Sequence, residues 1–153
     1  MNTQKFAFIF PGQGSQTVGM GKELAEQFPK AKEILNQADD ILGFSLTDLM
    51  LTGPEEELND TFNTQPALLT HSIAALTVFK DELPEIQPTF TAGHSMGELS
   101  ALVASEALDF EAGLLLARKR GELMKKAGEV SPGSMAALIG LEAEKVLVLC
   151  DSI

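Results

Sequence analysis

The sequence predicts an α/β fold with a parallel sheet, and three features carry that prediction. Phe6-Ala7-Phe8-Ile9-Phe10 is a continuous apolar run that stops at Pro11-Gly12, the pattern of a buried, central, parallel strand. Phe90-Thr91-Ala92 leads into Gly93-His94-Ser95-Met96-Gly97 and then into an amphipathic run, which reads as strand, sharp turn and helix. The remaining segments place apolar residues at helical spacing between glycine and proline breaks.

Taken in order, the first strand ends in the tight loop Pro11-Gly12-Gln13-Gly14-Ser15-Gln16. In open α/β sheets, ligands bind at the carboxyl ends of strands, where this loop falls. It lacks the Lys-Ser/Thr ending of a phosphate loop and the third spaced glycine of a dinucleotide site. A helix follows over about 20–28, stopped near Pro29, and another over about 31–42, closed by Gly43. Ser45 with Asp48 three residues on resembles a capping box. Pro54 suits a first helical position, and the charges of Glu55, Glu56 and Glu57 favour a helix N-terminus. Asn63-Thr64-Gln65-Pro66 opens a longer helix to about Leu83, with Pro66 in its first turn. Leu68, Leu69, Ile73, Leu76 and Phe79 form its core face. His71 in this helix reads as a partly buried, hydrogen-bonded residue rather than a base. Pro84 and Pro88 mark a loop before the second strand. The helix after the serine turn covers about 98–108. Asp109 caps another over about 110–127, leucine-rich on one side, with Arg120 near its middle. Ser131-Pro132-Gly133 reads as a linker, Met135 to Ile139 as a strand, and Glu142 to Cys150 as a helix. A single strand–helix unit after a linker leaves strand edges without partners, so a second domain is expected to begin there and to be unfinished.

A length of 153 residues with 44% hydrophobic content supports one moderate core. The net charge of −11 argues against non-specific binding to nucleic acid or an anionic membrane. No apolar run has the length of a membrane span, and the five apolar residues before Pro11 are too few for a signal peptide. Cys150 is the single cysteine, which excludes an internal disulfide or a cysteine metal cluster. A cytoplasmic protein is expected. Charge is uneven along the chain: Lys and Arg are absent between Lys32 and Lys80, and five of the eleven lie between Arg118 and Lys126. Most of these five read as a solvated helix face, Arg118 and Lys119 among them, and the cluster also offers a positive site for an anionic substrate or partner.

The chemistry centres on Ser95. A serine on a strand-to-helix turn sits in a cramped backbone, and Gly93 and Gly97 omit the Cβ atoms that would collide there. The following helix aims free N–H groups and its positive dipole end at the point where an oxyanion forms. A serine nucleophile needs a base within hydrogen-bond reach. The histidines are His71 and His94, and His94 adjoins Ser95 on a sharp turn where neighbouring side chains diverge.

Four stretches then occur together: 8–16 (Phe-Ile-Phe-Pro-Gly-Gln-Gly-Ser-Gln), 65–67 (Gln-Pro-Ala), 93–98 (Gly-His-Ser-Met-Gly-Glu) and Arg120-Gly121. With them the chain closely resembles the malonyl-CoA:acyl carrier protein transacylases of fatty acid biosynthesis and the related acyltransferase domains of polyketide synthases. The resemblance covers nearly all 153 residues. It implies an α/β-hydrolase-like subdomain over 1–130 and the first strand and helix of an inserted ferredoxin-like subdomain over 134–153. It implies a chain that forms the first half of such a protein, with the base histidine and the segment orienting it in the missing C-terminal half. Ser95 matches the nucleophile, the backbone N–H groups of Gln13 and Met96 match the oxyanion hole, and Arg120 matches the arginine that holds the malonyl carboxylate. Gln65 matches a glutamine lining the pocket, and His94 a position that is not the base. Malonyl-CoA is then the substrate and acyl carrier protein the acceptor, with no bound cofactor, no metal, no nucleic acid and no membrane.

Two other readings stay open at this point. A serine esterase or thioesterase shares the turn, and water would open the same acyl-enzyme. A chain without its base is otherwise inert or serves to bind a partner.

Overall fold

The computed structural model describes residues 5–131, 133 and 138–152. Strands β1 (Phe6–Phe10) and β2 (Pro88–Gly93) pair in parallel, with Phe8 opposite Thr91 and Phe10 opposite Gly93. Both carboxyl ends therefore open on one edge, as the sequence implies for a ligand site.

β1 is not buried on both faces. Phe10 packs into the core and Phe8 meets the Phe79 ring edge-on at 5.2 Å, but Ile9 on the other face is 77% exposed. Phe90 of β2 is 66% exposed. Among the described residues nothing covers that face, and the described sheet has two strands, which leaves β1 at an edge.

Helix α1 (Lys22–Gln27) starts later than its apolar pattern suggests, because Gly19 and Gly21 hold left-handed turns before it. Pro29 does more than end α1: it takes the first position of α2 (Pro29–Leu42), where a missing N–H costs nothing. Gly43 closes α2 as expected, its N–H donating to the Asp39 carbonyl at 2.9 Å. Ser45 caps α3 (Leu46–Thr52) by accepting from the Asp48 N–H at 3.2 Å. Pro54 lies just outside α4 (Glu55–Asn59), as its cap residue.

The long helix α5 (Thr61–Glu82) begins two residues before Asn63, so Pro66 stands inside it rather than in its first turn. Leu68, Leu69, Ile73 and Leu76 are buried as their spacing requires. Helix α6 (Gly97–Ala104) ends earlier than 108, at a turn where Glu106 has φ 62°. Helix α7 (Phe110–Val130) packs along α5, and Gly113, Leu114, Ala117 and Gly121 are its buried positions. Its other leucines, Leu115, Leu116 and Leu123, are exposed. Leu114 alone of the four leucines meets the core, and Gly121 lets the α7 backbone come up against that of α5.

Helix α8 (Ala143–Cys150) matches the sequence reading and carries exposed Leu147, Val148 and Leu149. Of the strand expected over 135–139, residues 135–137 lie outside the described residues, and Leu138 and Ile139 are not in a strand. No described helix is long and apolar enough to cross a membrane.

Candidate active site

The turn after β2 places Ser95 at φ 55°, in the left-handed region that a non-glycine residue occupies only when its surroundings enforce it. Close packing enforces it here. A Cβ on Gly93 would strike the Gly97 carbonyl, and a Cβ on Gly97 would strike the Phe10 carbonyl. The turn is tied to β1 by the His94 N–H donating to the Phe10 carbonyl at 3.1 Å, and to itself by the Gly97 N–H donating to the His94 carbonyl at 2.9 Å. Ser95 is left exposed at the start of α6, while Met96 beside it is fully buried.

The loop after β1 lies against this turn. A Cβ on Gly12 would come within 2.6 Å of the His94 carbonyl oxygen and 2.7 Å of its Nδ1. Side chains hold the loop: Gln13 Nε2 donates to Thr61 Oγ1 at 3.2 Å, Gln16 Nε2 to Asn59 Oδ1 at 2.7 Å, and Gln16 Oε1 accepts from the Gly14 N–H at 2.8 Å. Neither the Gln13 nor the Met96 N–H makes a backbone hydrogen bond among the described residues.

Arg120 joins the site from α7. Its Nη2 donates to Ser95 Oγ at 3.1 Å and its Nη1 to Gln65 Oε1 at 2.8 Å. Gln65 is fully buried, and its Nε2 lies 3.2 Å from the Met124 sulfur, so its amide is held at both ends. Gly121 makes this reach possible: a Cβ there would lie 2.5 Å from the Phe62 Cα, so α7 rests directly on the first turn of α5. A cation thus sits within one hydrogen bond of a strained serine hydroxyl, its direction fixed by a buried amide.

The two histidines are placed differently. His94 is exposed on the turn, and among the described residues no hydrogen bond joins either imidazole to Ser95. His71 faces the cavity between α1 and α5, which Gly19, Gly21, Leu24 and Phe28 also line. Its Nδ1 is buried and has no partner among the described residues, contrary to the hydrogen-bonded histidine expected there. Burial lowers its pKa below the ordinary 6.5. No group of three or more His, Cys, Asp or Glu suited to a metal occurs among the described residues.

Sequence reasoning missed Arg118. Its guanidinium lies between the Phe44 ring at 4.9 Å and the Phe62 ring at 4.4 Å, and it is not a solvated surface arginine. The signal that points to it is Pro66, which removes a donor from a helix interior.

The acyl transferase domain family matches residues 7–152. The malonyl CoA-acyl carrier protein transacylase of Bacillus subtilis is 52% identical over 149 residues, 97% of this chain and 46% of the relative. That of Haemophilus influenzae is 48% identical over 147 residues, 96% of this chain and 47% of the relative. Among solved structures, the transacylase of the same name from Coxiella burnetii superposes with a TM-score of 0.89 at 44% identity, over 97% of this chain and 47% of that one. A malonyl-transacylase solved in complex with a type II polyketide acyl-carrier protein superposes with a TM-score of 0.86 at 42% identity, over 97% and 48%. The chain spans about half the length of the curated relatives it matches. With its serine turn, its strand-end loop and this match over most of its length, the chain belongs to the acyl transferase domain family.

Proposed function

We propose that the chain carries the nucleophile, oxyanion hole and carboxylate-binding part of a transferase that moves malonyl from malonyl-CoA to the phosphopantetheine thiol of acyl carrier protein, in the cytoplasm, in fatty acid biosynthesis. Arg120 carries the reading. A guanidinium anchored by Gln65 and 3.1 Å from the serine hydroxyl suits a short acyl thioester whose far end is a carboxylate. A generic esterase has no use for a cation there. Relatives named for malonyl transfer to acyl carrier protein support the same substrate class.

Ser95 Oγ forms a bond to the thioester carbonyl carbon, and its proton passes to a base. The carbonyl oxygen becomes an oxyanion facing the N–H groups of Gln13 and Met96, a pair of donors of which each is worth roughly 3 kcal/mol. The C–S bond then breaks, and the coenzyme A thiolate takes a proton. The malonyl-serine ester passes to the second thiol by the same steps. His71 and His94 are not that base. We place it outside these 153 residues, in sequence corresponding to the other half of the relatives, and assign residues 1–130 to the larger body and 134–153 to a smaller one.

Intact-mass analysis of the chain exposed to malonyl-CoA tests this. Slow malonylation that Ser95→Ala abolishes is the expected result. Arg120→Ala should lose malonyl transfer by about 2–5 kcal/mol of transition-state stabilisation, while acetyl, which strands no carboxylate, loses far less. Equal loss for both acyl groups would remove Arg120 from the carboxylate role.

A further inference from the structure

We infer that Arg118 is a positioning residue for the Arg120–Gln65 pair, and that it works by supplying the hydrogen bond that Pro66 takes away from α5. The inference rests on the malonyl-transfer reading above and deepens it.

In an α-helix each N–H donates to the carbonyl four residues earlier. Residue 66 of α5 is a proline inside the helix, so the Phe62 carbonyl receives no donor from it, and the ring crowds that carbonyl. Arg118 Nη1 reaches across from α7 and donates to the Phe62 carbonyl at 3.1 Å. The same nitrogen donates to Asn63 Oδ1 at 2.6 Å, and Asn63 Nδ2 donates in turn to the Glu57 carbonyl at 2.9 Å. The guanidinium plane is held between Phe44 and Phe62, with Nε 3.5 Å from Glu122. One side chain therefore repairs the helix, fixes the Asn63 amide and stacks on two rings. Lysine has no planar fork and cannot do all three.

This repaired turn is the one that presents Gln65. Arg118 and Gly121 of α7 hold residues 62 and 63, and Arg120 between them bonds Gln65. If the Phe62 carbonyl is left unpaired, the turn loosens, Gln65 Oε1 leaves Arg120, and Arg120 loses the acceptor that fixes its direction beside Ser95. The consequence is selective. An acyl group that ends in a carboxylate depends on the direction of Arg120, and an acetyl group does not.

The experiment compares single-turnover acylation of Ser95 by malonyl-CoA and acetyl-CoA, followed by intact mass, with thermal unfolding recorded for every variant. Arg118→Met should lower the malonyl-to-acetyl ratio about tenfold, with the acetyl rate within about twofold of wild type. Arg118→Lys should recover little of it. Pro66→Ala combined with Arg118→Met should restore part of the ratio, because the backbone N–H that this substitution returns to the helix now serves the Phe62 carbonyl. In an Arg120→Ala background, Arg118→Met should change the ratio no further, since both act through one group. Equal loss for both acyl donors, an unchanged ratio, full recovery by lysine, or no rescue by Pro66→Ala would each overturn the inference. Should Arg118→Met fail to fold, Arg118→Lys, which keeps charge and stem, carries the ratio measurement. A wild-type chain that malonyl-CoA does not acylate at Ser95 overturns the proposed reaction and this inference with it. A selective wild type with an insensitive Arg118 overturns this inference alone.

Discussion

Ser95 is held at φ 55° by the close packing of Gly93 and Gly97 around it, and its side chain adds one exposed hydrogen bond, accepted from Arg120. Such a conformation costs on the order of 1–3 kcal/mol, and glycine escapes most of it. Ser95→Gly should therefore raise the thermal unfolding midpoint while it abolishes acylation; a lower midpoint would show that the turn is not strained. Gly97→Ala acts in the opposite direction, since its new methyl meets the Phe10 carbonyl, and should cost about 1–3 kcal/mol in denaturant unfolding. His71 gives a pH effect with a definite sign. Burial lowers its folded-state pKa below 6.5, so below that pH the unfolded chain binds the extra proton more readily. The contribution is complete above about pH 6.5, is lost as pH falls from there to the folded pKa, and then levels off. His71→Met, neutral at every pH, should flatten this part of a stability profile measured by urea unfolding. At this scale the sequence was informative about identity: the glycines around Ser95 and the Arg120-Gly121 pair mark the residues the fold brings together. It was silent on the missing partner of His71, which depends on helices far apart in sequence.

The contact between α5 and α7 sets the geometry that the residues use. The spacing of Leu68, Leu69, Ile73 and Leu76 made α5 legible, because burial on one face imposes that period. The place of Pro66 was not legible. A proline inside a helix normally ends or kinks it, and the donor that compensates lies 56 residues from the carbonyl it serves. The buried face of α7 was hidden for a related reason. Hydrophobic patterning points to its leucines, but only Leu114 is buried; Gly113, Ala117 and Gly121 make up the rest of the buried face, with Gly121 against the α5 backbone. Gly121→Ala tests this element directly. The added methyl presses on the Phe62 Cα and pushes α7 away from the turn that holds Gln65. A loss of about 1–3 kcal/mol is expected in chemical unfolding, together with a fall in malonyl over acetyl selectivity. A loss of stability with selectivity intact would separate the helix contact from the site.

Among the described residues, one face of the sheet and the whole of α8 are left uncovered. Ile9 and Phe90 lie open on the same face of the parallel pair, and Leu147, Val148 and Leu149 are exposed on a helix that buries none of its residues. Exposed apolar residues of this kind suit contact with another body, and an open β1 edge offers unpaired backbone groups to a further strand. The chain matches about half the length of its relatives, and among the described residues no hydrogen bond joins Ser95 to either histidine, while the proposed reaction needs a base. These observations converge on one test. The second half of the Bacillus subtilis relative, added as a separate polypeptide, should bind the chain, protect the β1 and β2 amides from hydrogen exchange, and raise malonyl transfer to acyl carrier protein by orders of magnitude over the chain alone. The low starting rate is the activity that an oxyanion hole sustains without its base. Ile9→Lys, which puts a charge on the open face and leaves Ser95, Gln65 and Arg120 untouched, should weaken the association and the gain in rate together. If the chain alone transferred malonyl as fast as the pair, the base would lie within these 153 residues and His94, on the turn beside Ser95, would be its source. If the halves bound without any gain in rate, the uncovered face would be an interface of a different kind.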